Sequence, residues 1–116
     1  MHEIEVSQLK QLQKEEYIAV DIRDEGSVLY GMIPEAVNIP AEEFETNLEK
    51  CLGSLEKQKK LILYCQRGQK SVEIAELIEE SGRECYSLKG GYNAYIREAS
   101  MSDEADAHEK QEKAEN

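Results

Sequence analysis

The sequence predicts an α/β domain built on a parallel sheet. Three observations carry that expectation. Short apolar runs alternate along the chain with segments of helical periodicity, and strands that alternate with helices pair in parallel through right-handed crossovers. Leu61-Ile62-Leu63-Tyr64 is a continuous apolar run, as a strand buried on both faces requires. That run ends on Cys65 and passes through polar and glycine residues before a helix begins. A cysteine is thus expected at the carboxyl end of a central strand, where α/β sheets collect ligands and reactive groups.

The elements follow in order. Ile4-Glu5-Val6 alternates as a short strand, and Ser7 reads as the N-cap of a helix over Gln8 to Lys14. Tyr17 to Ile22 is a second apolar strand that ends in the charged stretch "DIRDEG". "YGMIPEAVNIP" is a loop punctuated by Gly31, Pro34 and Pro40 around a brief strand at Ala36-Val37-Asn38. Ala41 to about Leu52 has a helical pattern, with Phe44, Leu48 and Cys51 or Leu52 on one side. After the Leu61–Tyr64 strand, Val72, Ile74, Ala75, Leu77 and Ile78 share a broad helical face, and Gly82 is placed to stop that helix. Glu84 to Leu88 is a further strand, running into "KGGYNAYIREA", a glycine turn and a final short helix. No internal repeat is visible.

At 116 residues the chain forms one domain with a modest core. The expected domain covers residues 1–100. Residues 101–116 hold no aromatic or branched aliphatic side chain and set six acids against two lysines, which reads as a disordered acidic tail. The formal net charge of −11 makes nucleic acid and anionic membrane surfaces poor partners on electrostatic grounds, and neither is expected. Neither a transmembrane span nor an N-terminal targeting pattern is visible in "MHEIEVSQLK", so a cytoplasmic, reducing setting is expected, with Cys51, Cys65 and Cys85 as thiols. Their spacing offers no CxxC and no neighbouring histidine, which points away from zinc. No metal and no cofactor is expected.

Cys65 needs no histidine for activation. Backbone N–H groups of the following loop can turn toward the sulfur, and the helix behind it adds the positive end of its dipole. Gly68 lets the loop adopt positive φ, and Arg67 and Lys70 add formal positive charge. These effects favour thiolate over thiol. A buried strand cysteine with a purely packing role is the bland alternative, and the polar, cationic, glycine-bearing loop weighs against it.

Four motifs in order resemble the rhodanese family. "YCQRGQKS" is similar to its active-site loop, "VDIRDEG" to its D-V-R strand end, "GMIPEAVNIP" to its G-H-I-P-G-A-x-N-I-P segment, and "YSLKGGYNAY" to its L-x-G-G-x-x-x-W close. The resemblance implies a rhodanese-like α/β fold, a central parallel five-stranded sheet flanked by helices on both faces. It also implies a sulfurtransferase in which Cys65 carries a persulfide, with Gln66, Arg67, Gly68, Gln69, Lys70 and Ser71 as the binding loop and Asp21 and Arg23 as candidate supports. Sulfane sulfur would pass from thiosulfate or a persulfide donor to cyanide, a thiol or a protein cysteine. A cysteine desulfurase or sulfur-relay protein is the implied kind of partner. The chain departs from the pattern at Met32 (usually His), Glu35 (usually Gly), Ser27 (usually acidic), Lys70 (commonly Arg) and Tyr95 (usually Trp). Arg23 therefore needs another acidic partner, and the Lys70 ammonium lacks the bidentate fork of arginine. Cdc25-like phosphatases share the loop cysteine but need C-x5-R; here the sixth residue after Cys65 is Ser71. A non-catalytic rhodanese-like binding or regulatory module is the remaining alternative.

Overall fold

A computed structural model describes residues 2–100. The expected acidic tail, residues 101–116, lies outside the described residues. Five strands form a single sheet: β1 (Glu3–Ile4), β2 (Tyr17–Asp21), β3 (Val37–Asn38), β4 (Lys60–Tyr64) and β5 (Cys85–Leu88). Their order is β1-β5-β4-β2-β3, and every pair is parallel. β4 is the middle strand. It matches β2 from Tyr17 opposite Lys60 to Asp21 opposite Tyr64, and β5 from Leu61 opposite Cys85 to Leu63 opposite Ser87. A central strand with both faces covered explains why Leu61–Tyr64 is apolar without alternation.

Successive side chains of β4 divide between two cores. Leu61, Leu63 and Cys65 join Val20, Ile22, Phe44, Ile74, Ala75 and Ile78 on one face. Helices α3 (Ala41–Thr46), α4 (Leu48–Gly53) and α5 (Lys70–Glu80) cover it. Ile62 and Tyr64 join Val6, Leu9, Ala19, Ile33 and Leu88 on the other. That face is covered by α1 (Val6–Gln11) and by α6, residues 91–100, which brings Tyr92, Ala94 and Tyr95 against the cluster. α2 (Glu25–Val28) is a single turn beyond the end of β2.

The structure corrects four expectations. Val6 belongs to α1 and not to the first strand: it is 2% exposed, and with Leu9 it forms the buried face of the helix. Ser7 is accordingly not the cap. Glu5 holds that place, its N–H donating to Gln8 Oε1 at 2.8 Å. The helix closes at Gln11, and Lys14 lies in a separate 3-10 turn, Lys14–Glu16. The segment from Ala41 is two helices, broken where Asn47 leaves helical geometry at φ −151°, ψ 63°. Thr46 and Asn47 are weak helix formers, and the break still sends both Phe44 and Cys51 into one core.

Candidate active site

Cys65 follows the last residue of β4, and α5 starts at Lys70, so residues 66–69 must reverse direction within a few ångström. The turn is held from beneath by the start of α6. Tyr92 N–H donates to Cys65 O at 2.8 Å, and Asn93 N–H to Gln66 O at 3.1 Å. Such close backbone approach requires glycine. Gly68 has φ +89°, and a Cβ there would lie 2.8 Å from Gly90 N; a Cβ on Gly91 would overlap Cys65 O. The expected positive φ at Gly68 is present.

Three hydrogen-bonding groups converge on this end of the strand. Gly68 N–H donates to Cys65 Sγ at 3.1 Å, and Ser71 Oγ lies 3.5 Å from the same sulfur. Ser71 Oγ is in turn 2.7 Å from Ser87 Oγ on β5. Burial alone would push the Cys65 thiol up. The Ser71 hydroxyl and the Ser71, Gly68 and Arg67 N–H groups outweigh it and bring its pKa below the ordinary thiol value. The other two cysteines behave oppositely. Burial pushes Cys51 up, and burial with the nearby Glu79 charge pushes Cys85 up to about 12. Both are buried core thiols.

The partner that Arg23 needs is Asp21, the last residue of β2, two positions earlier in the chain. Arg23 Nη2 donates to Asp21 Oδ2 at 2.7 Å and Nε to Oδ1 at 3.0 Å, with both side chains buried. The same guanidinium donates to Gln66 Oε1 at 3.0 Å and to Gly31 O at 2.7 Å. It lies 4.3 Å from the Tyr92 ring centroid. Asp21 and Arg23 are therefore brought to the cysteine loop as a brace. Tyr92 packs against Arg23 and stacks with Tyr64 at 6.0 Å.

The sequence model of the rhodanese-like domain matches residues 5–98. The chain belongs to the rhodanese-like family. Among curated relatives, YtwF of Bacillus subtilis is 30% identical over 81 residues, 70% of this chain and 75% of its own length. GlpE of Coxiella burnetii, named a thiosulfate sulfurtransferase, is 28% identical over 93 residues, 79% of this chain and 83% of its own. A rhodanese-related protein of Thermoplasma volcanium has the same fold, with a TM-score of 0.75 at 24% identity over 84% of this chain and 93% of its own.

The rhodanese-like loop does not bring its charged side chains to the sulfur. Lys70 Nζ pairs with Glu45 Oε1 at 3.1 Å and Glu73 Oε2 at 3.2 Å, which raise its pKa in that order. The side chains of Arg67 and Gln69 are exposed. A shallow cleft of about 440 Å³ reaches Cys65 and Gln66, with Lys70 and Arg23 on its walls beside Asp24 and Glu42. Acidic groups thus outnumber free cations around the mouth, and hydrogen bonds lead the causes that favour the thiolate. Sequence reasoning missed Ser87, the grip of the Tyr92 and Asn93 N–H groups on the loop, and the close approach of Gly90-Gly91 that permits it. "KGGYN" was the available signal for the last two, since paired glycines mark close backbone approach. A serine on a strand gives no such signal.

Proposed function

We propose that this rhodanese-like domain, residues 1–100, is a sulfurtransferase whose covalent intermediate is a persulfide on Cys65. The observation that carries the reading is the sulfur at the end of β4, accepting from Gly68 N–H and lying beside the Ser71 hydroxyl, with its pKa lowered. A thiolate so held attacks the outer sulfur of a donor. With thiosulfate, a new S–S bond forms at Cys65, the donor's S–S bond breaks, and sulfite leaves with the electron pair. An acceptor thiolate or cyanide then attacks the outer sulfur, and Cys65 departs as thiolate. This is double displacement with ping-pong kinetics. Backbone amides from Gln66 to Ser71 line the loop that receives the charged outer sulfur.

The acidic mouth favours sulfur that arrives on a thiol over a small dianion. Asp24 and Glu42 wall the cleft, and Glu45 and Glu73 occupy the Lys70 ammonium. A persulfide donor and a thiol or protein-cysteine acceptor, such as a cysteine desulfurase or a relay protein, fit this electrostatics better than thiosulfate. The non-catalytic binding-module reading gives no role to a lowered thiol pKa. Phosphate transfer lacks the arginine six residues after the cysteine, where Ser71 stands. The test is Cys65→Ser in a sulfur-to-cyanide assay. A hydroxyl cannot carry sulfane sulfur, so turnover is expected to vanish while the circular dichroism spectrum stays. Retained turnover would contradict the covalent mechanism.

A further inference from the structure

Ser71 and Ser87 are a fully buried polar pair, each 0% exposed. Ser87 shares a strand face with Cys85, and Ser71 opens the helix face of Ile74 and Ala75, so apolar residues surround the pair. Alanines would fill nearly the same space. Two hydroxyls there carry a desolvation cost that hydrogen bonding must offset. What distinguishes them is the third atom in line, Cys65 Sγ, 3.5 Å from Ser71 Oγ.

Proton counting fixes the direction of this line. Each hydroxyl has one proton to donate and lone pairs to accept with. A Cys65 thiolate can only accept. When Ser71 donates to it, the 2.7 Å contact with Ser87 must be filled by the Ser87 proton. The relay therefore runs from Ser87 to Ser71 to Cys65 and is polarised along its length. We propose that Ser87 is a positioning residue of the sulfur-transfer site: its hydroxyl donates to Ser71 and so aims the Ser71 proton at Cys65.

The inference rests on the reading of Cys65 as the sulfur-carrying nucleophile. It gives the relay a role at a definite step. In the persulfide, negative charge sits on the outer sulfur, and Sγ is a neutral bridging atom. When an acceptor thiolate attacks the outer sulfur, the Cys65 S–S bond breaks and its electron pair returns to Sγ. Ser87 and Ser71 support the leaving thiolate at that moment. Other groups around the sulfur are arranged differently. Arg67 is exposed, Lys70 pairs with Glu45 of α3 and Glu73 of α5, Arg23 is committed to Asp21 and Gln66, Asp24 and Glu42 wall the cleft, and Cys85 of β5 is a high-pKa thiol.

The experiment is the pH profile of Cys65 alkylation by uncharged iodoacetamide in four variants. Ser87→Ala is expected to slow alkylation at pH 7 about two- to fivefold and move the profile to higher pH, since a polarised hydrogen bond is weakened but not removed. Ser71→Ala is expected to slow it by more, about three- to tenfold, because a direct donor is lost. The double variant should match Ser71→Ala, and Ser87→Thr, which keeps the hydroxyl, should restore the wild-type profile. If Ser87→Ala fails to fold, Ser87→Cys supplies a weak donor of similar size and should give a smaller upward shift. An unmoved profile in Ser87→Ala, or independent losses adding in the double variant, would overturn the relay. Alkylation needs no sulfur donor, so failure of the sulfurtransferase reading would show in the Cys65→Ser cyanide assay and leave this profile unchanged.

Discussion

At the scale of single residues, the three cysteines differ in environment more than in exposure. All three are buried, yet only Cys65 combines N–H donors with a nearby hydroxyl. Iodoacetamide at neutral pH should therefore modify Cys65 first, its rate profile lying at lower pH than those of Cys51 and Cys85. Equal rates at Cys51 and Cys85 in the folded protein would contradict that ordering. Linkage gives the two buried extremes opposite signs. The depressed Cys65 pKa contributes stability above the unfolded thiol's pKa, and this is lost as pH falls through the folded value. The raised Cys85 pKa acts the other way: its contribution is full below the unfolded pKa and is lost as pH rises toward about 12. Lys70 supplies a second residue-level outcome. Glu45→Gln with Glu73→Gln frees its ammonium, which should raise thiosulfate kcat/KM about two- to tenfold at low salt, by the size of exposed charge contacts. A donor lacking the sulfonate should respond less, and added salt should shrink the difference. No change for either donor would show that the acids do not set donor preference.

At the scale of elements, β4 and the loop after it were legible because a doubly buried strand has no alternation and its cysteine stands at the break. Val6 is ambiguous in the sequence because a β-branched residue two positions after Ile4 fits a strand and a helix face alike. The break at Asn47 is not legible because Phe44, Leu48 and Cys51 keep helical spacing across it. Arg23 could be recognised as needing an acid, and its partner lay two residues away. The pairing of Lys70 with Glu45 could not be read, since it depends on how α3 settles against α5. Glu35, at the family's usual glycine, shows what a motif departure costs. Among the described residues it is the one non-glycine with positive φ, 69°. Its exposed 3.5 Å pair with Lys14 returns little. Glu35→Gly should stabilise the fold by about 0.5–1 kcal/mol, as a left-handed side chain costs about 1–2 kcal/mol and glycine's added chain entropy takes part of that back. Urea unfolding checks it; a loss of stability would mean that the Glu35 side chain contributes more than its conformation costs.

At the scale of the whole molecule, the fold works by bringing distant segments to one end of a parallel sheet. Asp21 at the end of β2 with Arg23 just after it, the loop after β4, Ser87 of β5 and the start of α6 meet there. No helix among the described residues is long and apolar enough to cross a membrane. Among the described residues neither core cluster extends past Tyr95, and the family match ends at residue 98. Truncation after Ser100 should therefore leave the melting temperature and cyanide turnover nearly unchanged. A large drop in either would assign residues 101–116 a structural or functional part. The central claim, that sulfur rides on Cys65, is tested most directly by intact-protein mass spectrometry after exposure to a persulfide donor, with peptide mapping. The account predicts a gain of one sulfur atom on Cys65, discharged by cyanide and absent in Cys65→Ser. A cyanide-labile sulfur that persists in Cys65→Ser, or maps to Cys51 or Cys85, would contradict it.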